Sequence, residues 1–222
     1  MATLIALDEV RPLVVCDSCT HRCDGKSLNN YQFEDDTKRS EVIEEEIMYY
    51  LRSQSCGHLT CNKVALNSRE WGQPDIEIRT SAEPNRVQAR LEVKYQTRAF
   101  MKSAHIPCEP RLSPWETVAL NTSDLDKYIA YYEQGKILTH IVWRLERTCL
   151  GIRYFYQDVA RLKQIRDYYG LDRQYIRKMG VGDIDNNGRN KGVKENYHFS
   201  IHELRPFDNY THYLLDYLKV AY

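Results

Sequence analysis

The chain has no long apolar run, no net charge, no repeat and no low-complexity segment. Nothing in its 222 residues approaches the ~20 consecutive apolar residues that span a bilayer. Asp8, Glu9, Arg11 and Pro12 interrupt a mildly apolar opening, so a signal-peptide pattern is missing and a cytoplasmic location is expected. Lys plus Arg number 31 and Asp plus Glu number 31, a balance that argues against a nonspecific nucleic-acid coat, whose surface is strongly basic. No glycine loop of the phosphate-cradling kind is present, no HExxH pair, and no serine or cysteine nucleophile signature. Hydrophobic residues make up 42% of the chain, enough to bury a sizeable interior in one large domain or a core with an elaboration.

What is present is a two-residue alternation between Pro74 and Gln96. Ile76 and Ile78 share one face, with Asp75 and Glu77 opposite. After a break at Glu83-Pro84-Asn85, Val87, Ala89, Leu91 and Val93 form an apolar face, while Arg90, Glu92 and Lys94 point the other way. Pro84 and Asn85 are turn residues, so the two runs are expected to form a hairpin. Centring the loop on Glu83-Pro84 sets Asp75 opposite Glu92 and Ile76 opposite Leu91. Directly opposed side chains lie roughly 5 Å apart at Cβ. Two carboxylates that close repel, and a divalent cation between them removes the penalty. Mg²⁺ takes hard oxygen ligands, often one or two carboxylates, with water and substrate phosphate completing its octahedron. Lys94 leaves the same face two residues after Glu92 and can orient a water and offset charge on a phosphate.

Pro74-Asp75 and Glu92-Val93-Lys94, at this separation on a hairpin, resemble the PD-(D/E)XK nuclease superfamily, the restriction-endonuclease-like fold. The resemblance implies a Mg²⁺-dependent endonuclease acting on DNA. Asp75, Glu92 and the Val93 carbonyl would be metal ligands, and Lys94 the water-positioning group. It also implies a glutamate on the preceding helix. Residues 37–54 contain no Gly or Pro, and Ile43, Ile47, Tyr50 and Leu51 recur at helical spacing. Glu44 and Glu46 flank that stripe, whereas Glu45 points to solvent. Family spacing selects Glu44, with Glu46 as the alternative. Gln96 continues the Glu92/Lys94 face toward the scissile phosphate or a base.

Downstream, Ser123 can cap a helix running to Gln134, with Leu125, Tyr128, Ile129 and Tyr132 on one face and Gly135 at its end. Leu138 to Leu145 reads as a buried strand. Helix, hairpin, helix and strand in this order match the resembled core. The fold expected is mixed α/β, a central mixed sheet flanked by helices, with a C-terminal helical and loop elaboration. Its expected divisions are a cysteine-rich segment at 1–37, a core at 38–146 and an extension at 147–222. In the extension, residues 157–169 and 171–179 read as helices, Tyr197 to Leu204 as a strand, and 209–220 as a helix with Tyr213, Leu214, Tyr217 and Leu218 inward. Basic residues outnumber acids from Arg161 to Lys194. Arg177, Lys178, Arg189 and Lys191 are therefore candidate phosphate contacts.

Cys16, Cys19, Cys23, Cys56 and Cys61 crowd the first quarter of the chain. Cys16-x2-Cys19 with Cys56-x-His58-x2-Cys61 can supply tetrahedral zinc. Unliganded buried thiols and an iron–sulfur cluster are the other readings, since disulfides are not expected in a reducing cytosol. Asp183 to Gly188 imitates the start of a calcium loop, but Lys194 stands where its bidentate glutamate belongs. The expected partners are DNA and a second copy of the chain in a homodimer, with no membrane. Restriction-type cleavage heads the readings, with repair, junction-resolving or transposition nuclease, or a non-catalytic zinc-containing nucleic-acid-binding module, as alternatives.

Overall fold

A computed structural model describes residues 33–64, 73–135, 137–176 and 195–220, with only the backbone of 33–37. Helix α1 (Phe33–Gln54) opens this part of the chain. Strands β1 (Leu59–Lys63), β2 (Ile76–Thr80) and β3 (Ala89–Gln96) follow. Then come β4 (Thr117–Asn121), helix α2 (Thr122–Gly135), β5 (Leu138–Arg147) and β6 (Gly151–Asp158). Helix α3 (Val159–Tyr169), β7 (Gln174–Ile176), β8 (Glu195–Ser200), β9 (Arg205–Pro206) and helix α4 (Tyr210–Tyr217) complete the order. No helix among the described residues is long and apolar enough to cross a membrane.

The fold is mixed α/β around a six-stranded sheet of order β1-β2-β3-β5-β6-β9. All its neighbours run antiparallel except β3 and β5, which are parallel because α2 carries the chain back across one face. The β2–β3 register pairs Ile76 with Leu91, Glu77 with Arg90 and Ile78 with Ala89. The next pair in that register is Asp75 with Glu92, as the alternation and the Glu83-Pro84 turn require.

The two faces of the sheet bury different partners. Ile43, Ile47, Met48 and Leu51 of α1 pack on Ile76, Ile78, Leu91 and Val93, and Tyr210 and Leu214 of α4 join the same cluster. Leu51 is completely buried, so Leu51→Ala is worth ~2–5 kcal/mol of stability. On the other face, Leu125 and Ile129 of α2 and Leu162 of α3 cover Ile141, Trp143 and Leu145 of β5. A three-stranded sheet of order β4-β8-β7 packs there too, through Val118, Leu120, Tyr197 and Phe199.

The C-terminal region departs from expectation in several places, one being the strand expected at Tyr197 to Leu204, which ends at Ser200 and gives way to a 3-10 turn (Ile201–Glu203). Residues 151–158 form β6, a hairpin partner of β5 that extends the central sheet. Over 171–176, the described part of the helix expected at 171–179, the chain is a 3-10 turn (Gly170–Arg173) leading into β7, which pairs with β8. Tyr175 and Ile176 are recruited by a strand some twenty residues downstream in the chain, a partner local spacing does not reveal. In α4 the buried residues are Tyr210, Thr211, Leu214 and Leu215, whereas Tyr217 is 55% exposed. The inward stripe is thus rotated from the one the sequence predicts.

Candidate active site

Alternation along β3 divides its side chains cleanly. Ala89, Leu91 and Val93 enter the α1 core, so Arg90, Glu92, Lys94 and Gln96 project toward α2. Asp75, one residue ahead of β2, falls on the α2 side by the same rule, because Ile76 and Ile78 face α1. Asp75 and Glu92 are 6% and 5% exposed, an unusual burial for two adjacent carboxylates.

Three contacts organise this group. Asp75 Oδ2 accepts a hydrogen bond from the Val93 backbone N–H at 2.7 Å, which ties the end of β2 to β3 beyond their paired residues. Within one strand residue the N–H and C=O leave the same edge. The Val93 carbonyl therefore also faces the edge where Asp75 stands. Lys94 Nζ lies 2.7 Å from Glu92 Oε1. The Tyr128 hydroxyl of α2 donates to that same Glu92 oxygen at 2.6 Å. Burial pushes the Glu92 carboxyl up to about 7, with Asp75's charge adding to it against the pull of Lys94. Lys94 is raised well above its ordinary value: Glu92's negative charge overcomes the opposing effect of burial.

The donor set fits a hard divalent cation: two carboxylates and a backbone carbonyl, with the Glu92 carboxyl raised first by burial and then by the like charge of Asp75. Among the described residues no group of three or more His, Cys, Asp and Glu side chains stands close enough to hold a metal. Protein would therefore fill few coordination places, the arrangement Mg²⁺ accepts because it keeps several waters.

Glu44 lies apart from this group. It sits on α1, which covers the opposite face, and its carboxylate pairs with Lys63 at 2.8 Å. Lys63 pairs with Ile76, beside Asp75, so Glu44 approaches the site only along the rim of the sheet. Glu45 is exposed, as expected. Glu46 reaches another cluster, accepting from Tyr154 at 3.0 Å. Tyr154 also takes a hydrogen bond from Arg144, whose guanidinium pairs with Glu146 at 2.6 Å.

Gln96 is bonded within the fold. Its amide donates to the Ala119 carbonyl at 2.8 Å and accepts from buried Arg147 at 3.3 Å, pinning β4 to β3. Contact with a phosphate or base would require breaking those bonds. Arg177, Lys178, Arg189 and Lys191, with the calcium-like loop, lie outside the described residues. The described part of the basic stretch is largely neutralised: Lys163 pairs with Asp167, Arg166 with Asp126, and Arg173 with Glu203.

Of the expected zinc ligands, Cys61 is 1% exposed within the α1 core, where burial pushes its thiol up to about 11, whereas Cys56 is exposed in the preceding turn. Cys16 and Cys19 lie outside the described residues.

Tyr128 is the residue sequence reasoning missed. Its place on the apolar stripe of α2 reads as core, and it is 7% exposed, yet its hydroxyl ends at Glu92. A tyrosine in the middle of an apolar stripe is the available signal, because a buried phenol needs a partner. An open groove lies elsewhere, at the β2–β3 turn, lined by residues that include Arg86, Gln88, Arg90 and Lys219 but none of the expected site residues.

No family model matches the chain, and a search of curated proteins gave no match. Among solved structures the chain is similar to Hjc, a Holliday junction resolvase from the archaeal hyperthermophile Archaeoglobus fulgidus. The TM-score is 0.42 at 9% identity, covering 78% of this chain and 96% of that one. A likeness at that level assigns neither family nor residue roles.

Proposed function

We propose that the protein is a divalent-cation-dependent phosphodiester hydrolase acting on DNA. The observation that carries this reading is one sheet face holding buried Asp75 and Glu92 side by side, with Lys94 bound to Glu92. Two adjacent buried acids cost stability unless something positive is meant to sit with them.

Asp75, Glu92 and the Val93 carbonyl would hold Mg²⁺. When bound, that ion lowers the pKa of a water and stabilises charge on the leaving oxygen. The chain's own residues do the rest. Asp75 is fixed by the Val93 N–H, so its carboxylate is oriented before any ligand arrives. Lys94, its side chain 26% exposed, orients the attacking water and faces the negative charge growing on the phosphate. Glu44, held by Lys63 along the rim, would act on the water shell rather than as a direct ligand. Restriction-type cleavage is the expected specificity, and repair, junction-resolving or transposition chemistry would use the same residues.

The test is cleavage in Mg²⁺ of supercoiled plasmid, linear duplex and a four-way junction, with product ends sequenced. Recurrent ends on plasmid indicate restriction-type specificity; cuts confined to the junction indicate resolution. Lys94→Ala should lower the single-turnover rate on the order of 10²-fold, the effect of losing one preorganised electrostatic partner. DNA affinity in Ca²⁺ should be nearly unchanged. No cleavage of any of these substrates by wild-type protein in Mg²⁺ or Mn²⁺ would refute the reading. A Lys94→Ala variant that keeps its saturated rate would remove Lys94 from the mechanism.

A further inference from the structure

We infer that Tyr128 is a positioning residue that receives the Lys94 ammonium when Glu92 turns to a metal ion; this rests on the metal-site reading above. As the structure stands, Lys94 occupies Glu92. Its Nζ is 2.7 Å from Glu92 Oε1, so the ammonium takes a carboxylate oxygen with which a cation would bond. An ammonium left there competes with the metal and is not available to orient water.

Tyr128 offers the alternative position. A phenol hydroxyl has one proton to donate and lone pairs to accept with. The proton goes to Glu92 Oε1 at 2.6 Å, and the oxygen accepts from Lys94 Nζ at 3.2 Å. Lys94 Nζ also stands 5.5 Å from the centre of the Tyr128 ring, within cation–π reach. One side chain thus touches both members of the ion pair. When Lys94 leaves Glu92, the Tyr128 hydroxyl and ring keep the ammonium a short step from where it began. The same hydroxyl fixes the carboxylate orientation, the task of a partner lying just outside a metal's ligands. Helix α2 supplies this group because Leu125 and Ile129 seat it against β5, which aims the intervening Tyr128 at β3.

The test is a cycle read by Mn²⁺ binding to the intact protein, followed by electron paramagnetic resonance, with no DNA present. Tyr128→Phe keeps the ring and removes only the hydroxyl. It should weaken Mn²⁺ binding about 10-fold, because Lys94 then loses the hydroxyl that would accept its ammonium and stays on Glu92. Lys94→Met should strengthen binding by removing the competitor. In the Lys94→Met background, Tyr128→Phe should cost less than about 3-fold, since no ammonium remains to be received. Leu214→Ala, a packing change in the α4 core on the opposite face of the sheet, should lower the melting temperature and leave Mn²⁺ affinity unchanged. Equal affinity of Tyr128→Phe and wild type would overturn the inference. So would the same 10-fold loss in both Lys94 backgrounds, or an equal loss in Leu214→Ala. Wild-type protein showing no Asp75-dependent Mn²⁺ binding would overturn the metal-site reading itself, and this inference with it.

Discussion

Asp75 carries two opposed effects that a pair of substitutions can separate. Its charge lies next to Glu92 and helps hold that carboxyl up at about 7, so removing the charge relieves a repulsion. Its Oδ2, however, is the hydrogen-bond acceptor for the Val93 N–H at 2.7 Å in the interior. Alanine removes both charge and acceptor, and asparagine removes the charge alone. An orphaned buried donor costs ~1–3 kcal/mol. In a chain of this size 1 kcal/mol moves the melting temperature by roughly 2–4 °C. Asp75→Ala should therefore melt about 2–12 °C below Asp75→Asn. Asp75→Asn should match or exceed wild type, and neither variant should cleave DNA. The assay is thermal unfolding by circular dichroism at pH 7.5 in chelator, with the hydrolysis assay run alongside. Coincident melting of the two variants would show that the Val93 bond does not hold this corner of the sheet. Near-wild-type cleavage by either would dismiss Asp75 as a metal ligand.

Two pH dependences follow with opposite signs. Glu92's folded pKa lies above its unfolded value, so its stabilisation is full below about pH 4.5 and is lost as pH rises toward 7. The difference in unfolding free energy between wild type and Glu92→Gln should therefore grow as pH falls from 7 to 4.5, and a flat difference would refute the assignment. His140, fully buried with Tyr210 bonded to its Nδ1 at 3.0 Å, is lowered to about 3 by burial and by Arg205. The unfolded chain takes up that proton from about pH 6.5 downward while the folded chain resists it. Wild type should thus lose roughly 1.4 kcal/mol per pH unit relative to His140→Gln on acidification below that point. Parallel curves for wild type and His140→Gln would sink this. Because the two groups offset each other between pH 4.5 and 6.5, only differences against each variant reveal them.

The β2–β3 register was legible in the sequence because a period of two leaves no freedom once one face is buried. A slip of one residue would have moved Ile76, Ile78, Leu91 and Val93 to the wrong side. That rule, with the turn at Glu83-Pro84, placed Asp75 beside Glu92 from local chemistry alone. Helix α1 and its buried Ile43, Ile47 and Leu51 were legible for the same reason, as were α2 and the buried strand β5. Tertiary packing decided what periodicity does not encode. Which neighbour a helix face meets depends on how the helix crosses the sheet, and that crossing put Tyr128 on Glu92 and left Glu44 with Lys63. Gln96 shares the face of Lys94, but the docking of β4, a separate strand, turned its amide into a structural clamp with Arg147. Cys61 fits a metal spacing on paper; the inward pleat of β1 made it core. Strand β7 depends on β8, a partner distant in the chain, and its three residues carry too little periodic signal to announce it. Local patterns fix which face a side chain takes, and only the assembled fold fixes what stands opposite.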